Sequence, residues 1–255
     1  MPENFEHVDL TGARFRKVQL NDARLRMVDL SGAVIRDASL AGASIDGSEI
    51  DGLRIDGVEV APLIEAELNR RYPGRGLRRP TDPAGLQAAW AAIRASWAVA
   101  YDRAAALPAG SVDISVEDEW SFAQTLRHLI YATDGWLGAA RGQAPSFHPW
   151  GVPFSEVAEF LDGPVTDLGL DPDATPSYPE VLELRADRVA RVTAFLAEVS
   201  PERLAEEVEG PPWERGARLS VLRCLRVILN EESEHLRFAE RDLEVIAAAV
   251  PAGVS

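Results

Sequence analysis

The sequence predicts two domains of different classes, a β-solenoid at the amino terminus followed by a bundle of α-helices. Two observations predict this division. A strict five-residue spacing of apolar side chains occupies residues 3–60 and stops there. Beyond Pro80 the apolar residues recur instead at alternating steps of three and four, which is the spacing of amphipathic helices. We therefore expect the solenoid at residues 1–62, a cap and linker at 63–80 and the helical bundle at 81–250.

Composition and charge restrict the classes of function. The chain has 255 residues and a formal net charge of −15, and such a surface repels nucleic-acid phosphates and anionic membranes. No run approaches the roughly 20 apolar residues of a membrane span, and the acidic amino terminus lacks the pattern of a secretion signal. The single cysteine, Cys224, cannot form an intrachain disulfide. We expect a cytoplasmic protein without a nucleic-acid or membrane partner.

The amino-terminal repeat consists of two superimposed series of side chains. Large apolar residues recur at every fifth position, and smaller residues lie two positions before them. A period of five fits neither a helix nor a strand. It fits a chain that turns a corner every five residues and stacks its coils around a shared core. The large series is Phe5, Leu10, Phe15, Leu20, Leu25, Leu30, Ile35, Leu40, Ile45, Ile50, Ile55 and Val60.

These repeats resemble the pentapeptide-repeat family, which implies a right-handed quadrilateral β-helix of about three coils. A short helix over Pro62–Tyr72 is expected to cap its open end. Some members of the family mimic the shape and charge of DNA. Outward basic residues such as Arg14 and Lys17 do not fit a uniformly negative rod, so we favour a structural or docking module.

Four long helices and a short one are expected after the linker. Asp82 and Pro83 form a helix cap and a first-turn proline, and they begin a helix that ends near Leu107. Four amphipathic helices with one long crossover describe a four-helix bundle. The remaining helices are predicted at about 119–141, 155–161, 179–199 and 220–249.

Three side chains interrupt the apolar faces of two helices. Glu231 and His235 lie four residues apart on the predicted inward face of the last helix, and His128 lies among small residues on the second. A buried carboxylate is costly without a partner, and a divalent cation held by the three side chains would remove that cost. The alternatives are a buried ion pair, or a face misassigned by one residue. The predicted inward face is Val221, Cys224, Ile228, Glu231, His235, Phe238, Asp242 and Val245.

Two segments of these helices resemble the DinB-like superfamily over about residues 82–248. They are Glu119-Trp-Ser-Phe-Ala-Gln-Thr-Leu-Arg-His128-Leu and Asn230-Glu231-Glu-Ser-Glu-His235-Leu-Arg-Phe-Ala. The group includes metal-dependent enzymes that use low-molecular-weight thiols, such as mycothiol-dependent maleylpyruvate isomerase. Many members carry a third histidine where this chain has Glu231, while the isomerase branch has glutamate. The resemblance implies a metal site of His128, Glu231 and His235, with zinc as the expected ion.

The resemblance also implies a thiol-dependent, mycothiol-type S-transferase or isomerase that acts on an electrophilic small molecule. Trp120, Leu129, Trp136, His148 and Trp150 are the expected pocket residues. No residue is assigned as the catalytic acid or base. The alternative belongs to another class: a non-catalytic interaction or resistance protein that keeps a structural metal and docks a protein partner through the solenoid.

Overall fold

The chain divides into two compact units, residues 1–49 and 50–255. The predicted domain boundaries at residues 62 and 80 stay a prediction. The structure, a computed structural model, describes residues 4–26, 28–45, 50–71, 77, 79–154, 157–161, 163–214 and 216–249.

The first unit repeats a backbone turn at five-residue intervals. Every second turn is closed by a hydrogen bond between residues three apart, and the amide of Ala13, for example, donates to the carbonyl of Leu10 at 2.9 Å. Glycine suits several of these positions because it adopts a positive φ without steric cost. The period seen in the sequence is therefore a period of the backbone. Positive φ angles occur at His7, Gly12, Lys17, Asp22, Gly32, Asp37 and Gly42.

The predicted quadrilateral β-helix is not observed in this unit. Residues 4–26 and 28–45 contain no strand. The periodic apolar side chains are exposed, with Phe5 at 67% and Phe15 at 65%. A solenoid needs coils that stack and enclose their large side chains. The hydrogen bonds that close turns in this unit join residues three apart, so they do not link one coil to the next.

The second unit begins with a short hairpin and a surface helix. Strands β1 (Arg54–Ile55) and β2 (Val58–Glu59) pair antiparallel. Helix α1 (Ala61–Arg71) follows and buries none of its residues. It occupies the position predicted for a capping helix, although Tyr72 lies outside the described residues. Its capping role stays a prediction.

Four long helices pack around one apolar core. The helices α3 and α2 each contact both α5 and α7. Every observed end of a long helix lies within three residues of its predicted position. The long helices are α2 (Pro83–Ala105), α3 (Phe122–Ala140), α5 (Tyr178–Glu198) and α7 (Val221–Ala249), and the short ones are α4 (Val157–Phe160) and α6 (Pro201–Ala205). None of the helices in the described part of the chain is long and apolar enough to cross a membrane.

The hairpin before α7 and the short helix α6 were not predicted from the sequence. Strands β3 (Glu207–Glu209) and β4 (Arg218–Ser220) pair antiparallel directly before α7. The short helix predicted at 155–161 is observed as α4, and its first two predicted residues lie outside the described part of the chain.

A capping box fixes the start of α3 and so the position of the first histidine. The Ser121 hydroxyl accepts a hydrogen bond from the amide of Gln124 at 3.3 Å, and the Gln124 side chain accepts one from the Ser121 amide at 2.9 Å. These bonds satisfy amides that a helix start leaves without partners. They place Trp120 immediately before the helix and His128 two turns inside it.

Two buried ion pairs join α5 to its neighbours. Arg185 of α5 is bonded to Glu232 of α7, and both side chains are at most 2% exposed. Arg188 donates to Asp134 of α3 through Nε at 2.8 Å and Nη2 at 3.1 Å. Asp134 also accepts from the amide of His148 at 3.0 Å, which attaches the loop after α3 to the bundle. Removing one partner of such a pair leaves a buried charge, so these bonds fix the positions of the helices.

Substitution of Leu126 by alanine tests the assignment of the core. Leu126 has no exposed surface and lies in the main apolar cluster. We expect Leu126→Ala to lower the free energy of unfolding by about 2–5 kcal/mol, because it deletes buried methyl groups and leaves a cavity. Val99→Ala is the control, since Val99 is 55% exposed on α2 and should change stability by less than about 0.5 kcal/mol. Urea unfolding measures both, and equal effects would contradict the assignment.

Candidate metal centre

Three side chains from two helices meet at the interface of α3 and α7. His128, Glu231 and His235 each offer one donor atom, and these three atoms lie within 4.8 Å of one another. Nε2 of His128 lies 3.4 Å from Oε2 of Glu231. Among the described residues, this is the cluster of histidine and carboxylate side chains that has the arrangement of a metal site.

Backbone carbonyls fix the orientation of both imidazoles. Nδ1 of His128 lies 2.9 Å from the carbonyl oxygen of Val152, and Nδ1 of His235 lies 3.0 Å from that of Glu231. Because a carbonyl oxygen only accepts hydrogen bonds, each Nδ1 carries the proton in the neutral ring. Each Nε2 therefore keeps its lone pair. This arrangement is typical of histidines that ligate a metal.

An aromatic side chain covers the two imidazoles. The ring centroid of Trp120 lies 4.4 Å from that of His128 and 5.9 Å from that of His235. The two imidazoles are stacked on each other with their centroids 4.6 Å apart. On the far side of His128 lies Tyr131, with a centroid separation of 6.0 Å. The cluster therefore has an apolar wall, which lowers the local dielectric constant and strengthens charge interactions.

Burial and neighbouring groups set the charges of the cluster. Burial lowers the pKa of His235 to about 4, and the nearby His128 contributes in the same direction. Burial raises the pKa of Glu231, but the proximity of His128 and His235 outweighs that effect, so the net pKa is lowered. At neutral pH the cluster therefore contains a carboxylate beside a neutral imidazole, the forms that bind cations.

The spacing of the donors suits a divalent cation. Zinc binds histidine nitrogen and carboxylate oxygen at about 2.0–2.2 Å, so donors on one ion lie roughly 3.5 Å apart. The separation of His128 and Glu231 already has that value. The widest separation in the cluster, 4.8 Å or less, is closed by small rotations of side chains that are still partly exposed. Glu231 and His235 are 28% and 17% exposed.

The buried face of α7 is displaced from the predicted one. Its centre passes through Glu232, and Glu231 and His235 lie at its flank, where they are only partly buried. Val245, predicted to face inward, is 49% exposed. The prediction missed the displacement because a face with period 3.6 is wide and several charged residues adjoin it. The buried residues are Val221, Cys224, Leu225, Ile228, Leu229, Glu232, Leu236, Ala239, Asp242, Leu243 and Ile246.

The predicted pocket residues occupy three different environments. Trp120 covers the cluster. Leu129 and Trp136 lie in the main apolar core. His148 and Trp150 pack against each other in the loop after α3, with centroids 4.8 Å apart. Their assignment as walls of a substrate pocket stays a prediction.

Sequence reasoning missed two features that support the cluster. Val152 contributes a backbone carbonyl, which no side-chain pattern can reveal. Glu232 is the fully buried acid of α7, and its partner Arg185 lies 47 residues earlier. Burial raises the pKa of Glu232, and the guanidinium of Arg185 offsets this only in part. The available sequence signal for Glu232 was an acidic residue within an apolar helical face. The adjacent Glu231 was assigned to that face instead.

Comparisons with protein families agree with this architecture. A family model for the DinB superfamily matches residues 59–239, and a model for pentapeptide repeats matches residues 4–26. The first match covers most of the chain, so this protein belongs to the DinB superfamily and carries pentapeptide repeats before that domain. The predicted fusion is confirmed. DinB-like domains commonly bind metal, in agreement with the cluster. Searches of the curated proteins and of the solved structures found no match.

The stability of the metal-free protein should depend on pH through His235. Its folded pKa is about 4 and its ordinary value is 6.5, so between these values the unfolded chain binds a proton that the folded chain does not. Stability is therefore lost as the pH falls. We expect a loss on the order of 2 kcal/mol between pH 7 and pH 5 from this group.

Urea unfolding with a chelator present measures this dependence. His235→Gln is the comparison, because glutamine keeps a polar side chain and cannot titrate. The variant should have a shallower dependence than the parent between pH 7 and pH 5. Parallel curves for the two proteins would show that His235 is not buried in its neutral form.

Proposed function

We propose that this protein is a zinc-dependent transferase or isomerase that uses a low-molecular-weight thiol, of the mycothiol type, on an electrophilic small molecule. The observation that supports it is the convergence of His128, Glu231 and His235 within 4.8 Å at an edge that solvent reaches. Membership of the DinB superfamily supports metal binding. The thiol and the reaction class rest on resemblance to the isomerase branch.

The donor set favours zinc among the divalent cations. Two imidazole nitrogens and one carboxylate oxygen form a ligand set typical of catalytic zinc sites, which keep a fourth position open. Magnesium and calcium prefer sites made of oxygen ligands. The partial exposure of Glu231 and His235 allows a second molecule to approach the same position.

The side chains of the cluster would hold the ion and shape the space beside it. A bound divalent cation supplies Lewis acidity and favours the thiolate form of a coordinated thiol, which is the nucleophilic form. Val152 keeps His128 in the tautomer that ligates. Trp120 provides a flat apolar wall beside both imidazoles, against which an unsaturated or aromatic electrophile would stack.

The reaction class follows from the nucleophile. In a transfer, the thiol sulfur forms a bond to an electrophilic carbon, the leaving group departs with the bonding electrons, and the thiol proton passes to solvent. In an isomerisation, sulfur adds to a conjugated double bond and is expelled after rotation, so the thiol is regenerated. Both need the same thiol activation. Which of the two reactions occurs depends on the electrophile.

A second candidate function belongs to the pentapeptide repeats. Their apolar side chains are exposed, as with Leu25 at 65% and Ile35 at 65%. Apolar surface of this kind favours burial against a partner or within stacked coils. We propose, as the alternative, a non-catalytic interaction or resistance protein in which the metal is structural and the repeats, stacked as the predicted β-helix, dock a protein partner. Metal binding without turnover across a panel of electrophiles would favour this alternative.

Elemental analysis tests the metal. We expect one zinc ion per chain in protein purified without chelator. His128→Ala should lower the zinc affinity at least about 100-fold, because loss of a ligand exceeds the 10–100-fold cost of losing a supporting bond. His148→Ala is the matched control, since His148 packs on Trp150 and is outside the cluster. If the two variants retained zinc equally, the ligand assignment would be wrong.

Turnover of a thiol with an aryl halide tests the reaction. Zinc-loaded protein should consume mycothiol with 1-chloro-2,4-dinitrobenzene, and Glu231→Ala should lower kcat/KM at least about 100-fold. Trp120→Ala should raise KM for this aromatic substrate up to about tenfold with unchanged zinc content, because a stacking contact contributes about 1 kcal/mol. Phe160→Ala is the control for removing an aromatic side chain, since Phe160 is exposed and lies outside the cluster. Zinc-loaded protein that is inactive with mycothiol and glutathione across aryl halides and unsaturated diacids would exclude the enzymatic proposal.

A further inference from the structure

A second concave site lies between α2 and α5, and none of the residues of the metal cluster lines it. The groove has a volume of about 650 Å³, within the range of pockets that bind small molecules. On α5 it extends from Leu182 to Ala197, which corresponds to a length of about 22 Å. It is therefore long and narrow.

Small residues on α5 keep the groove open. Ala186, Ala190 and Ala194 line it at intervals of four residues, so they form one row along the helix. The opposite wall is formed by larger apolar side chains of α2, among them Ile93 and Trp97. A row of alanines opposite a row of large side chains leaves space for a slim apolar molecule.

The polar groups at one end of the groove are already paired. Trp90 donates from Nε1 to the hydroxyl of Thr193 at 2.8 Å, and this hydroxyl donates to the carbonyl of Val189 at 2.7 Å. Both side chains line the groove. This end requires no polar partner from a ligand.

The other end contains buried polar atoms without partners. Nε1 of Trp97, Nε and Nη1 of Arg185 and Oε2 of Glu232 have no hydrogen-bond partner. These four atoms are all but one of the unpaired buried side-chain nitrogens and oxygens in the described residues. The three side chains are 3%, 2% and 1% exposed and line the groove. A buried polar group without a partner is costly, so a ligand that pairs with these atoms gains affinity.

The composition of this polar end defines the chemistry of a ligand. Arg185 and Glu232 form an ion pair through Nη2 and Oε1, so these two side chains together carry no net charge. The free atoms of Trp97 and Arg185 are donors, and that of Glu232 is an acceptor. A carboxamide satisfies both kinds, since its carbonyl accepts and its N–H donates.

We propose that the groove between α2 and α5 is a second small-molecule site, which binds an elongated apolar molecule with an uncharged carboxamide head. The head pairs with Trp97, Arg185 and Glu232. The apolar chain lies along the alanine row toward Thr193. The site is independent of the proposed zinc chemistry, because its lining does not include His128, Glu231, His235 or Trp120.

Calorimetric titration with hexanamide tests the site, with hexanoate as the charged isostere. We expect saturable binding of one hexanamide per chain, with the same affinity in zinc-loaded and zinc-free protein. Hexanoate should bind at least tenfold more weakly, because the carboxylate offers no donor to Glu232. Trp97→Phe should weaken hexanamide binding about threefold to tenfold, since it removes one donor and keeps the aromatic ring.

Two variants of α5 locate the binding. Ala190→Phe fills the middle of the groove and, because Ala190 is exposed, should leave the fold intact. It should abolish hexanamide binding. Glu183→Phe is the matched control, because Glu183 is exposed on the same helix and does not line the groove. It should bind hexanamide as the parent does.

Other outcomes would overturn the proposal. Absence of hexanamide binding, or equal binding by the Ala190→Phe and Glu183→Phe variants, would exclude the groove as the site. Tighter binding of hexanoate would exclude the carboxamide head. Light scattering on the same proteins tests whether the groove is instead an interface between two copies of the chain. A parent dimer that Ala190→Phe dissociates, together with no hexanamide binding, would mean that the groove binds a second copy of the chain.

Discussion

The candidate site depends on the packing of α3 against α7. His128 belongs to one helix and Glu231 and His235 to the other, so no part of the cluster exists until the two helices meet. Their register is fixed at several points. The capping box at Ser121 sets where α3 begins, and the bond of Glu232 to Arg185 sets the rotation of α7. A helix rotated by one residue turns its side chains by about 100°, which would move the two donors of α7 away from His128.

Two adjacent glutamates of α7 illustrate how burial determines the role of a charge. Glu232 points into the core and is neutralised by a guanidinium, which is permanently charged and has no free coordination site. Glu231 points to the flank, where its partners are the imidazoles of His128 and His235. The first pair fixes the structure, and the second group can bind an ion. Because the two residues are neighbours, the structural pair holds the binding residue in place.

The sequence predicted the helices well because their information is local. Caps, prolines and apolar periodicity placed every end of the four long helices within three residues, and spacing brought His128, Glu231 and His235 together. What it did not predict depends on contacts between distant residues. Arg185 and Glu232 are 47 residues apart, and the carbonyl of Val152 has no sequence signature. The β-helix is not observed among the described residues for a related reason: a repeat of five predicts where the chain turns, but stacking depends on neighbouring coils.

The bundle thus carries two candidate sites whose ligands would differ in charge. The cluster at α3 and α7 contains groups that gain from a cation, because the Glu231 carboxylate and the neutral imidazole of His235 present lone pairs. The groove at α2 and α5 contains a neutralised ion pair with unused donors, which gain from an uncharged polar group. Adjacent residues of α7 belong to the two sites. Glu231 is a candidate metal ligand, and Glu232 is the acid at the polar end of the groove.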